Sequence, residues 1–164
     1  RSPHKSELPI PGVHRLEMIR RAIESTPSFS VSDCELNRSE PSYTIDTIKY
    51  FRKKWPDALL YWLIGADQLE DFGKWHKVTE LLDICRVCVM YRAGYQKPDF
   101  KRFKKVFSPE HITQLQQDVM QTPLFDISST DIRRCLAGGK SVTEMLPDSV
   151  IQYIGEYQLY GYAH

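Results

Sequence analysis

Apolar positions recur along this chain with two alternating periods. In residues 14–25, Leu16, Ile19 and Ile23 fall at helical spacing with charges between them, and Pro27 ends the pattern. Phe29 and Val31, then Cys34 and Leu36 after Asp33, alternate in a way that predicts a strand over 29–36. Residues 37–42 read as a polar loop. Ile45, Ile48, Phe51 and Trp55 line one face of a helix predicted over 44–55, and Pro56 stops it. The run Leu59-Leu60-Tyr61-Trp62-Leu63-Ile64 is unbroken and closed by Gly65, which predicts a central parallel strand buried on both faces. A second such run covers 86–91 and a short third one 124–127. Helical patterns are predicted at 79–82, 110–119 and 130–136, the last capped by Gly138-Gly139. Pro147 opens a closing helix with Val150, Ile151 and Ile154 inward. Phe100, Phe103 and Phe107 also fall at helical spacing, which makes the interleaved Lys101, Arg102, Lys104 and Lys105 a solvated basic face rather than an RNA surface. This order of elements predicts an α/β fold, a mainly parallel sheet with flanking helices.

Composition narrows the picture. The 164 residues, 41% hydrophobic and 26% charged, suit a single domain over 1–164 with a core that needs no disulfide or metal. A net charge of +1 exerts no overall pull toward nucleic acid or anionic lipid, so neither is expected as a partner. No apolar run approaches the roughly 20 residues a spanning helix requires. Cys85 and Cys88 form a C-x-x-C, but no second C-x-x-C or H-x3-H accompanies them, so a zinc site lacks ligands. Within a strand the two would face opposite ways. Buried reduced cysteines fit a cytoplasmic protein. The chain opens Arg1-Ser2-Pro3-His4-Lys5, in a proline-rich loop without methionine or a signal-peptide core, and is expected to begin part-way through a longer protein.

In parallel sheets ligands bind beyond the carboxyl ends of the strands. That rule selects the loops 65–67, 92–95 and 128–130. Ser128, Ser129 and Thr130 lead into a helix whose first N–H groups are unsatisfied, and Arg133 adds a charge suited to phosphate. An N-cap with a solvated arginine accounts for the same residues. Asp67 at a strand tip is either a ribose-hydroxyl acceptor or a helix cap, and the two roles can coexist. Trp75-His76 offers an indole that stacks on a flat heteroaromatic ring or else belongs to the core rim. Thr44 and Thr47 sit at a helix start. The chain lacks G-x-x-x-x-G-K-[ST], G-x-G-x-x-G and G-x-S-x-G motifs. Hydroxyls, Arg and Lys dominate these loops and general bases are scarce, a profile suited to transfer between phosphates.

Ser42-Tyr43-Thr44-Ile45-Asp46-Thr47, Gly65-Ala66-Asp67 followed by Trp75, and Ile127-Ser128-Ser129-Thr130-Asp131-Ile132-Arg133 resemble, in order and spacing, three motifs of the nicotinate/nicotinamide mononucleotide adenylyltransferases. The short gap between Asp67 and Trp75 is similar to the bacterial branch, which prefers the deamido substrate. The resemblance implies a Rossmann-like fold of the nucleotidyltransferase superfamily and adenylyl transfer from ATP to nicotinate mononucleotide, giving deamido-NAD and pyrophosphate. It implies that Lys5, Thr44, Trp75 and His76 bind the pyridine mononucleotide. Gly65, Asp67, Ser128, Ser129, Thr130, Ile132 and Arg133 would bind ATP, with Arg133 and Asp67 the catalytic candidates. Mg²⁺ would arrive on the ATP phosphates. The family's opening strand and its G-G-x-F-[DN]-P-x-H-x-G-H motif have no counterpart here, and His4, His14 and His76 do not replace those histidines. The first strand and helix are therefore expected to be missing, leaving an exposed sheet edge and a chain inactive by itself. Another nucleotidyltransferase of the same fold, of the pantetheine-phosphate type, and a non-catalytic nucleotide-binding fragment stay open as alternatives. So does a homo-oligomer, since 157–164 is either a tail or part of an interface.

Overall fold

The computed structural model describes residues 10–38, 41–92, 94–124 and 127–162. In chain order these form α1 (Gly12–Ala22), α2 (Thr44–Lys54), β1 (Tyr61–Gly65), α3 (Leu69–Phe72), α4 (Val78–Ile84), β2 (Arg86–Arg92), α5 (Pro109–Gln117), β3 (Val119–Thr122), α6 (Ser129–Ala137) and α7 (Asp148–Glu156). Single 3₁₀ turns occupy Ala66–Gln68, Lys101–Lys105 and Leu159–Gly161. The described residues gather in two compact units, one containing 41–124 and the other 10–38 with 127–162.

In the first unit the three described strands run parallel in the order β1-β2-β3. β2 lies between its neighbours, and Val87, Cys88 and Val89 are buried on both of its faces. Strand β1 departs from expectation. It lies at an edge of the described sheet, and its side chains alternate, with Ile64 buried while Tyr61 and Leu63 are 50% and 58% exposed. An unbroken apolar run hides that alternation, because hydrophobicity alone does not separate the covered face from the uncovered one. The third strand is also displaced. The run at 124–127 is not β3; Leu124 and Ile127 are exposed, and residues 125 and 126 lie outside the described set. Residues 119–122 form the strand instead, and α5 ends at Gln117, two residues short of the helix that the pattern predicts over 110–119. Asp118 fixes this placement. Its carboxylate accepts two hydrogen bonds from the Arg86 guanidinium (2.7 and 2.9 Å), and its carbonyl accepts from the Val89 N–H at 2.9 Å. A two-pronged pair of this kind sets register as well as adding energy.

The core of this unit joins Ile45 and Ile48 of α2, Leu81 and Leu82 of α4, the sheet, and Phe72, Phe100, Phe103 and Phe107. Phe72 is fully buried and meets Phe103, Phe107 and Trp75 edge-on. The phenylalanines of 100–107 face inward as their spacing predicts, although the segment between them is a 3₁₀ turn. Arg52, near the end of α2, donates to the carbonyls of Ala58 and Ile84 (both 2.6 Å), tying the entry of β1 to the end of α4.

The second unit has its own core of Leu136, Val142, Val150, Tyr153, Ile154 and Leu159. Ser108 and Ser128, in the first and second units respectively, cap α5 and α6 by accepting from N–H groups three residues on. The strand expected at 29–36 is absent. Phe29 and Leu36 are exposed, and Leu36 donates back to the Asp33 carbonyl at 2.8 Å in a turn. Two-residue alternation without a partner strand is not enough to make a sheet.

Replacing Asp118 with Ala is expected to lower the unfolding midpoint, because Arg86 loses both of its hydrogen bonds to the carboxylate; chemical denaturation measures it, and an unchanged midpoint contradicts the anchoring role. The thiols give a second test. Burial pushes Cys85 up to about 11 and Cys88 upward as well. Both are expected to resist a thiol reagent at pH 8 until the protein is unfolded, and rapid labelling of the native protein would contradict it.

Candidate functional site

Because the strands are parallel, the loops after β1, β2 and β3 leave the sheet at one end. The register sets Gly65 beside Met90 and Arg92 beside Thr122. A cavity of about 710 Å³ opens there, lined among others by Gly65, Asp67, Tyr91, Arg92, Tyr95 and Thr122. Asp67 sits in the 3₁₀ turn that follows Gly65 and caps no helix with its side chain. Its Oδ1 folds back over Gly65 so closely that a Cβ built there would lie 2.3 Å from it. The glycine is thus needed for the carboxylate's position. Arg92 faces the same cavity. The sequence marked its loop by position only; a lone arginine after a strand carries no signature, and the cavity is what singles it out.

Thr44 begins α2. The residue before it makes no side-chain cap; the Asp46 N–H bonds the Tyr43 carbonyl at 3.1 Å, while the N–H groups of Thr44 and Ile45 meet no backbone acceptor among the described residues. Thr47, one turn on, is buried. Trp75 is half-buried against Phe72, with ring centroids 5.2 Å apart, and belongs to the rim of the core. Its neighbour His76 is exposed and stacks on Tyr43 at 4.2 Å. The stack joins the Thr44 motif to the Trp75-His76 motif, although 33 positions separate the two rings in sequence.

The residues 128–133 lie in the second unit. Ser128 is engaged as the cap of α6, accepting from the Asp131 N–H at 3.1 Å and hydrogen-bonding the Asp131 carboxylate. Ser129 and Thr130 are exposed at the start of α6, and Arg133 donates to Thr130 Oγ1 at 3.3 Å. Ile132, half-buried, packs against the core of that unit. The capping role thus holds for Ser128, and the hydroxyls of Ser129 and Thr130 stay accessible. His14 bonds the Tyr153 hydroxyl at 2.9 Å and packs on Tyr157, a structural role. Lys5 and His4 lie outside the described residues.

Comparison with known proteins agrees with this geometry. The cytidylyltransferase-like family pattern matches residues 1–135. A probable nicotinate-nucleotide adenylyltransferase of Oceanobacillus iheyensis is 36% identical over 98% of this chain and 76% of its own length. One from Rhodopirellula baltica is 32% identical over 97% and 75%. The fold resembles a Plasmodium falciparum nicotinic acid mononucleotide adenylyltransferase solved in complex with NaAD, with a TM-score of 0.67 at 19% identity, over 99% of this chain and 80% of that one. A sheet whose loops converge at one end, the three motifs in order and relatives matched along most of their length lead to one assignment: the chain belongs to the cytidylyltransferase-like family and, within it, to the nicotinate-nucleotide adenylyltransferases.

Proposed function

We propose that this chain transfers the adenylyl group of ATP to nicotinate mononucleotide, forming deamido-NAD and pyrophosphate. The observation that carries the substrate choice is the Tyr43–His76 stack, which joins the start of α2, where the Thr44 and Ile45 N–H groups meet no backbone acceptor among the described residues, to the Trp75 turn. A flat, anionic pyridine suits that surface; a pantetheine or glycerol phosphate has no ring to place against the indole.

The roles follow residue by residue. Trp75 stacks on the pyridine. The backbone at Thr44 and His76 receives its carboxylate. Asp67 accepts from ribose hydroxyls, and Gly65 lets the nucleotide approach the backbone. Lys5 steadies the mononucleotide phosphate. Ser128, Ser129, Thr130, Ile132 and Arg133 hold ATP, with Arg133 offsetting charge on its phosphates. One oxygen of the mononucleotide phosphate forms a bond to the α-phosphorus of ATP. The bond from that phosphorus to the bridging oxygen breaks, and pyrophosphate leaves with the electron pair. A phosphate monoester is largely ionised at pH 7, so no base is required. Mg²⁺ enters on the ATP phosphates as part of the substrate. A cytoplasmic setting belongs to the same proposal and is supported by four free cysteines.

Steady-state kinetics of the full-length protein test these roles. Trp75→Ala is expected to raise KM for the mononucleotide about tenfold and leave KM for ATP within about twofold, because stacking is worth roughly 1–3 kcal/mol per base; equal effects on both substrates contradict the stacking role. Gly65→Ala is expected to cost less than about 1 kcal/mol of stability yet lower kcat/KM at least tenfold, since the new methyl displaces the Asp67 carboxylate. Unchanged turnover in that variant would remove Asp67 from the site.

A further inference from the structure

We infer that Tyr43 is a positioning residue for the pyridine side of the site, its ring holding the turn 75–78 in the shape that receives the mononucleotide. The inference rests on the functional reading above and goes beyond it, because Tyr43 touches no substrate in that reading.

The turn is held by backbone bonds on either side of His76, and on its α4 side the Lys77 carbonyl accepts from the Leu81 N–H at 3.0 Å with the Lys77 ammonium 3.9 Å from Glu80. Trp75 donates to the Phe72 carbonyl at 3.1 Å and Val78 to the Trp75 carbonyl at 3.2 Å. Between them Lys77 adopts φ +52°, the left-handed region that disfavours a side chain. Such a conformation persists only where the surroundings over-determine it. His76 is exposed, and its backbone N–H meets no backbone acceptor among the described residues. The one aromatic ring against its imidazole among those residues is Tyr43, at 4.2 Å and 30° between planes. Tyr43 itself is firmly placed. It is half-buried on the core, and its carbonyl accepts from the Asp46 N–H at 3.1 Å, which locks it to the first turn of α2. The stack therefore transmits the position of a helix anchored in the core by Ile45 and Ile48 to an exposed turn. It aims the free His76 N–H and steadies Trp75 without contributing an atom to the ligand. The tyrosine hydroxyl has no part in this; the ring face does the holding.

Calorimetric titration of the full-length protein with nicotinate mononucleotide, and separately with a non-transferable ATP analogue, tests the assignment. Tyr43→Ala is expected to weaken the mononucleotide about tenfold and the ATP analogue less than twofold, while Tyr43→Phe binds both as the wild type does. Equal weakening of both ligands, no weakening at all, or failure of Tyr43→Phe to restore binding overturns the proposal. Should Tyr43→Ala not fold, His76→Ala removes the exposed half of the same stack and carries the same expectation. A wild-type protein that binds neither nicotinate nor nicotinamide mononucleotide would sink the functional reading and this inference together. Binding that survives loss of the stack would sink this inference alone.

Discussion

Everything at the candidate site in the first unit depends on the burial of β2 between two parallel neighbours. Val87, Cys88 and Val89 are covered on both faces, so the strand cannot shift without exposing apolar side chains or breaking ladder bonds on both sides. Its register places the ends of β1, β2 and β3 together, and the loops that leave them form one cavity rather than separate exits. The Arg86–Asp118 pair holds the start of β3 to the start of β2, far from the cavity, and so fixes where β3 ends.

From that frame outward, constraint gives way to freedom. Gly65, having no Cβ, leaves the space into which the Asp67 carboxylate folds back. The Phe72 cluster backs Trp75 from beneath, leaving part of the indole exposed. His76 is exposed and held by its stack on Tyr43, and Lys77, at a positive φ, is held on its α4 side by its carbonyl, which accepts from the Leu81 N–H at 3.0 Å. The chemistry proposed here asks little of the protein beyond position and charge. A phosphate nucleophile needs no deprotonation at neutral pH, and transfer between phosphates is governed by alignment and neutralisation. A site built from hydroxyls, open N–H groups and arginines is suited to that task.

Much of this was legible in the sequence, for identifiable reasons. α2, α4, α6 and α7 carry apolar residues at helical spacing, and β2 is a run of β-branched and sulfur-bearing side chains between turns. The motifs at 42–47, 65–75 and 127–133 could be read because each joins a strand end or loop to a helix start. What could not be read depends on distant partners. β3 is four residues long and owes its place to Arg86, 32 positions earlier. The alternation at 29–36 promised a strand that found no neighbour. The edge position of β1 among the described strands is invisible in an unbroken apolar run. Tyr43 stood inside a recognised motif without a role, because its partner His76 is brought to it only by the packing of α2 on α4.

The most direct test of the account is release of pyrophosphate from ATP by the full-length protein with one acceptor at a time: nicotinate mononucleotide, nicotinamide mononucleotide or phosphopantetheine. The account predicts release with the pyridine mononucleotides, faster with the acid than with the amide, and none with phosphopantetheine. Release with phosphopantetheine, or ATP binding without release on either pyridine nucleotide, would contradict it.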